Sequence, residues 1–139
     1  MEDIFDFVVI SGCPINISGK EDVLEQKKLI SSGKKPIFGI CLGLQIISIV
    51  FGSKLSSLDL RKQGFFDYEF EGVIGRMNYN NGFCIIDEPK SFVVVKRVDG
   101  FVDLMINESA KIVAVQGYPE RSGVIGKTIF RWFLKKFLD

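Results

Sequence analysis

The chain of 139 residues contains no histidine. Histidine is the usual neutral-pH base and a common metal ligand, so no Ser-His-Asp triad, Cys-His dyad or histidine-bearing zinc site can be built from these residues alone. An excess of one charge is lacking too. The 18 Lys and Arg against 17 Asp and Glu leave a net charge of +1, which offers no footprint for nucleic acid or a charged membrane surface. Cysteine is sparse. Cys13, Cys41 and Cys84 lack the spacing of a disulfide framework, and the opening MEDIFDFVVISG has neither the basic region nor the cleavage site of a secretory signal, so a reducing, cytoplasmic setting is expected. The most apolar stretch, Pro36 to Gly52, carries Gln45 and falls short of the ~20 residues a bilayer span needs. It reads as a buried strand followed by a buried helix.

With 47% hydrophobic and 25% charged residues, the chain has the composition of one globular domain over residues 1–139. Phe7 to Ser11 is a β-branched run closed by Gly12, and Gly12 to Lys20 is a loop rich in Gly, Pro, Asn and Ser. Glu21 to Ser32 has helical apolar spacing, including Val23, and stops at Gly33. Ile37 to Ile40 predicts a short buried strand, and Leu42 to Phe51 a helix that is apolar nearly all round. Between Ser53 and Asn81 only Val73 and Ile74 stand out as a strand core. From Phe83 the segments FCII, SFVVVKRV, FVDLMI and KIVAVQ predict a meander. The closing helix, Ser122 to Leu138, places Val124, Ile125, Thr128, Ile129, Trp132, Phe133 and Phe137 opposite Lys127, Arg131, Lys135 and Lys136. This order predicts an α/β sheet covered on both faces.

The sharpest feature is Gly39-Ile40-Cys41-Leu42-Gly43-Leu44-Gln45, where strand meets helix. Glycines two residues either side of a nucleophile permit a crowded strand-to-helix turn that projects the side chain above the sheet. A thiol at a helix N-terminus is also expected to favour thiolate, because free N-H groups and the helix dipole stabilise negative charge. The competing reading is a small buried cysteine whose flanking glycines only let strand and helix pack. The first reading requires a sulfur outside the core and within about 10 Å of its proton-transfer partner.

GICLGLQ resembles the nucleophile motif of the class I glutamine amidotransferases, the ammonia-producing domains of enzymes such as GMP synthetase and anthranilate synthase. Two further segments agree in order and spacing. Asp6 to Pro14 is similar to that family's strand and oxyanion loop, and Val115-Gln-Gly-Tyr-Pro-Glu120 resembles its Gln-Phe-His-Pro-Glu segment. The resemblance implies a flavodoxin-like, three-layer α/β sandwich, here missing the family's first strand and helix, which predicts an uncovered sheet edge and self-association or a partner. It also implies that Cys41 attacks the side-chain amide of glutamine and that the Leu42 N-H with the loop at Gly12 and Cys13 forms the oxyanion position. Gln45 would contact the bound glutamine, Asn80, Asn81 and Gly82 would occupy the substrate loop, and Glu120 would be the orienting acid. No metal or cofactor is implied; glutamine is the implied ligand, with a synthase subunit or a second copy of the chain as partner.

The departures bear on activity. Tyr118 stands where the family has its catalytic histidine, and a phenol with a pKa near ~10 is a poor proton acceptor at neutral pH. Cys13 replaces a glycine of the oxyanion loop, and Asn81 replaces another histidine. Three functional readings follow. The chain is a weak or inactive glutaminase with a binding or regulatory role, a working glutaminase feeding a synthase partner, or a Cys41-based redox sensor or other thiol hydrolase. Tyr118 could equally be a core cover, and Glu120 with Arg121 a solvated pair.

Overall fold

The computed structural model describes residues 6–11 and 24–138, with the backbone alone for Leu24 and Glu25. Three parallel strands form one side of the main sheet: β1 (Val8–Ile10), β2 (Ile37–Ile40) and β7 (Ile112–Val115). Two antiparallel strands, β6 (Phe101–Asn107) and β5 (Val93–Val98), complete the order β1-β2-β7-β6-β5. Both β2 and β7 are buried at every position, as their unbroken apolar sequences require of central parallel strands.

The sheet divides two cores by the alternation of its side chains. Ile37, Ile112 and Ala114 face α1 (Leu24–Ser32) and α2 (Leu42–Val50), packing with Ile30, Leu44 and Ile47. Phe38, Ile40, Val113 and Val115 face the other way, onto α3 (Gly123–Phe137) and a long antiparallel hairpin of β3 (Leu55–Phe70) and β4 (Val73–Ile85). The result is a three-layer α/β fold with a flavodoxin-like core. The helix expected from Glu21 is described from Leu24, so Val23 lies outside the described residues.

The hairpin is the main departure from the sequence reading, which saw only Val73 and Ile74 in this region. Glu71 and Gly72 turn the chain with φ of 52° and 76°, the left-handed pair favoured in two-residue hairpin turns. Met77, Tyr79 and Asn81 are buried at alternate positions of β4, but Gly75, Arg76, Asn78 and Asn80 beside them have low strand propensity and hide the pattern. The FCII segment is not the first strand of the meander. It finishes β4, where Ile85 pairs with Leu55.

On α3, Ile125, Ile129 and Phe133 are buried as expected, whereas Val124 is 57% exposed. Phe130 takes part instead, meeting Phe7 and Phe38 edge-on. Among the described residues, strand β1 lies at an edge of the sheet. Its exposed Val9 borders an apolar groove of about 510 Å³ shared with Phe38, Ile40 and Phe130. Among the described residues, no helix is long and apolar enough to cross a membrane.

Candidate active site

Cys41 joins β2 to α2 with φ 52° and ψ −102°, a conformation that L-residues adopt only when their surroundings impose it. The surroundings are the two flanking glycines. A Cβ on Gly43 would sit 2.0 Å from the Ile10 carbonyl oxygen, and one on Gly39 would sit 2.5 Å from Ile47 Cδ1. Both glycines therefore serve close approach of α2 to the sheet, and the sharp turn at Cys41 follows. Its N-H donates to the Val115 carbonyl at 2.8 Å, extending the β2–β7 ladder to the elbow itself.

The sulfur is surrounded rather than projecting. Cys41 is 4% exposed, the Gln116 Nε2 donates to its Sγ at 3.6 Å, and the Asn80 carbonyl lies 4.0 Å away. Burial pushes the thiol pKa up, outweighing the hydrogen bonds from Tyr118, the Leu42 N-H and Gln116 and the more distant charge of Arg61. This corrects the expectation of a favoured, projecting thiolate: dehydration overrides the helix N-terminus here. The Leu42 N-H does point at the sulfur. Tyr118 neighbours it too, but Cys41 is part of the core, so the requirement of a sulfur outside the core is not met and the burial is that of the competing reading, a cysteine packed between strand and helix.

Asn80, Asn81 and Gly82 belong to strand β4, not to a loop. Asn80 turns its carbonyl to Cys41 and its side chain outward, where Arg61 Nε donates to its Oδ1 at 2.7 Å. The Arg61 Nη1 also lies 3.0 Å from where a Cβ on Gly82 would be. Asn81 is buried, donating to the Phe83 carbonyl at 2.9 Å, and its Oδ1 has no partner among the described residues. The same carbonyl accepts from Gln45 Nε2 at 3.1 Å, and Gln45 also reaches Gln116 Oε1 at 3.4 Å. A chain of carboxamides thus runs from β4 through Gln45 and Gln116 to the sulfur. Gln116 was visible in the motif as the glutamine before Gly117, yet only its register beside Cys41 reveals the contact.

Tyr118 is fixed through its backbone. Its N-H donates to the Asn78 carbonyl at 2.8 Å, while its own carbonyl accepts from Ser122 Oγ at 2.5 Å. Burial and the neighbouring thiol both raise its phenol pKa, with Arg121, 4.9 Å from the ring centroid, opposing. Glu120 follows on the 3-10 turn Pro119–Arg121, is exposed, and lines the groove beside Lys127. Among the described residues no hydrogen bond joins Glu120 to Tyr118, although the Glu120 charge also raises the phenol pKa. Gly12 and Cys13 lie outside the described residues.

Comparison with known proteins adds independent findings. The family model described as "Glutamine amidotransferase class-I" matches residues 1–137. A carbamoyl phosphate synthase small chain from Thermoplasma acidophilum is 35% identical over 108 residues, covering 75% of this chain and 30% of that protein. A glutamine-hydrolyzing GMP synthase from Dictyostelium discoideum is 28% identical over 145 residues, covering 91% and 20% respectively. The chain thus spans under a third of these two curated relatives. Among solved structures, a GMP synthase-type protein from Thermoplasma acidophilum superposes with a TM-score of 0.81 at 27% identity, covering 96% of this chain and 73% of its own. A glutamine amidotransferase from Thermotoga maritima shares the fold with a TM-score of 0.65 at 17% identity over 91% of this chain and 62% of its own.

Proposed function

Because the chain belongs to the class I glutamine amidotransferase family, we propose that it carries that family's glutamine site in impaired form, binding glutamine but hydrolysing it weakly or not at all. The observation that carries this reading is the pairing of a buried thiol with a phenol. The pKa of Cys41 is raised, and Tyr118 beside it is raised above its ordinary ~10, so neither group readily gives up a proton at neutral pH. With no histidine in the chain, no other side chain of the usual kind can take the proton.

In the proposed chemistry, Cys41 attacks the amide carbon of glutamine, ammonia leaves, and water hydrolyses the γ-glutamyl thioester to glutamate. The Leu42 N-H is the oxyanion donor the described residues offer, with Gly12 and Cys13 as its proposed counterparts. Gln45, Asn80, Asn81 and Gly82 are the proposed substrate contacts, and the unpartnered Asn81 Oδ1 supports a ligand donor there. Glu120 acts on Tyr118 only if substrate binding brings it inward.

Relatives named as synthase chains support a partner of the synthase kind, with a regulatory or binding role for this chain. Exposed Val9, Leu60, Phe65 and Ile74 supply apolar surface for such a partner or a second copy. A working glutaminase would need its base from that partner. A redox-sensor role is disfavoured, since sensor thiols are exposed and of low pKa, and free cysteines suit a cytoplasmic setting. Calorimetric titration with glutamine, run beside an ammonia assay, tests the reading: saturable binding with release at the level of Cys41→Ala supports it, and absence of binding overturns it.

A further inference from the structure

Asp103 is fully buried in β6. Val94 pairs with Met105, Lys96 with Leu104 and Arg97 with Val102, so the β5–β6 register shifts twice in opposite senses and leaves Val95 and Asp103 without ladder partners. Two residues before Asp103, Phe101 meets the Tyr79 ring edge-on, and strand alternation puts the Asp103 side chain on the same face. Here the carboxylate is turned toward the hairpin, where Tyr79 Oη donates to Oδ1 at 2.6 Å and Tyr68 Oη donates to Oδ2. One phenol comes from each strand of the hairpin. The Asp103 backbone faces the other way, its carbonyl accepting from the Gln116 N-H at 2.8 Å. A single residue therefore grips both hairpin strands and the residue that contacts the Cys41 sulfur.

We propose that Asp103 is a positioning residue for the Cys41 site: from β6 its carboxylate clasps the hydroxyls of Tyr68 and Tyr79 and so holds the Asn80 carbonyl, next in sequence to Tyr79, against the Cys41 sulfur. The reason to assign it this work is its cost. A buried carboxylate is expensive unless its hydrogen bonds are all made, and this one ties both hairpin strands to β6 on the side away from the Tyr118–Asn78 bridge and the Gln45 bond to the Phe83 carbonyl. Two charge-assisted bonds fix the register of β4 at the residue before Asn80. The charged groups around the carboxylate are Lys96 from β5, whose Nζ lies 4.5 Å from the Tyr68 ring centroid, and Lys62 from β3, which pairs with Asp99 at 2.7 Å. The inference rests on the reading of Cys41 as the reactive centre, but its test does not need glutamine turnover.

The test is site-resolved alkylation of Cys41 by iodoacetamide in the folded protein, followed by peptide mass mapping. Since the hairpin helps cover the sulfur, loosening the clasp lets the reagent in. Tyr79→Phe and Tyr68→Phe each leave the buried carboxylate short of a donor and should raise the Cys41 labelling rate about tenfold. In an Asp103→Asn background the same substitutions should change it less than about threefold, because the charged acceptor is gone. Ile129→Val on α3, at matched thermal stability, should leave Cys41 labelling unchanged. Equal Cys41 labelling in the tyrosine variants and the Ile129→Val control, or a tyrosine effect undiminished by Asp103→Asn, overturns the proposal. Failure of glutamine binding with these labelling differences intact overturns the amidotransferase reading and leaves the clasp standing.

Discussion

Tyr118 is stitched to Asn78 by an isolated antiparallel bridge, its N-H donating to the Asn78 carbonyl at 2.8 Å. The bridge joins the segment after β7 to the hairpin strand carrying Asn80, so the two walls of the Cys41 site are one hydrogen-bonded unit. Ser122 Oγ reinforces it by accepting from the Asn78 N-H at 2.9 Å. Ser122→Ala should cost about 1 kcal/mol in urea unfolding, because it leaves the Asn78 N-H unpaired. A cost indistinguishable from zero would mean that the bridge is not held from this side.

The glycines around Cys41 differ in what they tolerate. Gly43→Ala places a methyl group 2.0 Å from the backbone oxygen of Ile10, which cannot move without parting β1 from α2. It should cost at least ~3 kcal/mol or abolish folding. Gly39→Ala meets the mobile end of Ile47 first and should cost about 1–2 kcal/mol. Chemical denaturation checks the order, and equal costs would contradict the packing account of the elbow.

Asp103 gives stability a pH dependence of definite sign. Its carboxyl is raised from 3.8 to about 6, first by burial, with hydrogen bonds from Tyr68 and Tyr79 opposing. The native state therefore holds this proton more tightly than the unfolded chain does. The contribution is fully present below about pH 4 and is lost as the pH rises through 6, amounting to about 3 kcal/mol. The difference in unfolding free energy between the wild type and Asp103→Asn, followed from pH 4 to 7, should show this slope. A flat difference would mean that the carboxyl titrates normally.

Gln116→Leu should raise the Cys41 pKa further, since it removes a hydrogen bond that favours the thiolate. It should also cost about 1–3 kcal/mol, because Gln45 loses its acceptor in a buried site. The pH dependence of Cys41 alkylation reads the first effect and urea unfolding the second.

What the sequence made legible was whatever depends on local pattern. The apolar run at Ile37–Ile40 reads as a buried strand and that at Ile112–Val115 as a strand of the meander, whose parallel place beside β2 only the structure gives, and Gly39-Ile40-Cys41-Leu42-Gly43 could be placed on a turn because close packing leaves few residue types there. The hairpin was illegible because its signal is divided between strands that expose half their side chains. The raised pKa of Cys41 was misread because a helix N-terminus is visible in sequence, whereas the covering by Asn80 and Gln116 arises from contacts across 39 and 75 residues. Asp103 looked like one acidic residue in an apolar strand; nothing local foretells the two tyrosines that the hairpin brings to its carboxylate.

The central claim is that this site keeps its nucleophile and lacks a base, and the most direct measurement is ammonia release from glutamine by the purified chain and its Tyr118→His variant. The account predicts release barely above the Cys41→Ala background for the unmodified chain and a rise of about 10² or more on Tyr118→His, the size of one restored general base. Robust release by the unmodified chain, abolished by Cys41→Ala, would contradict it.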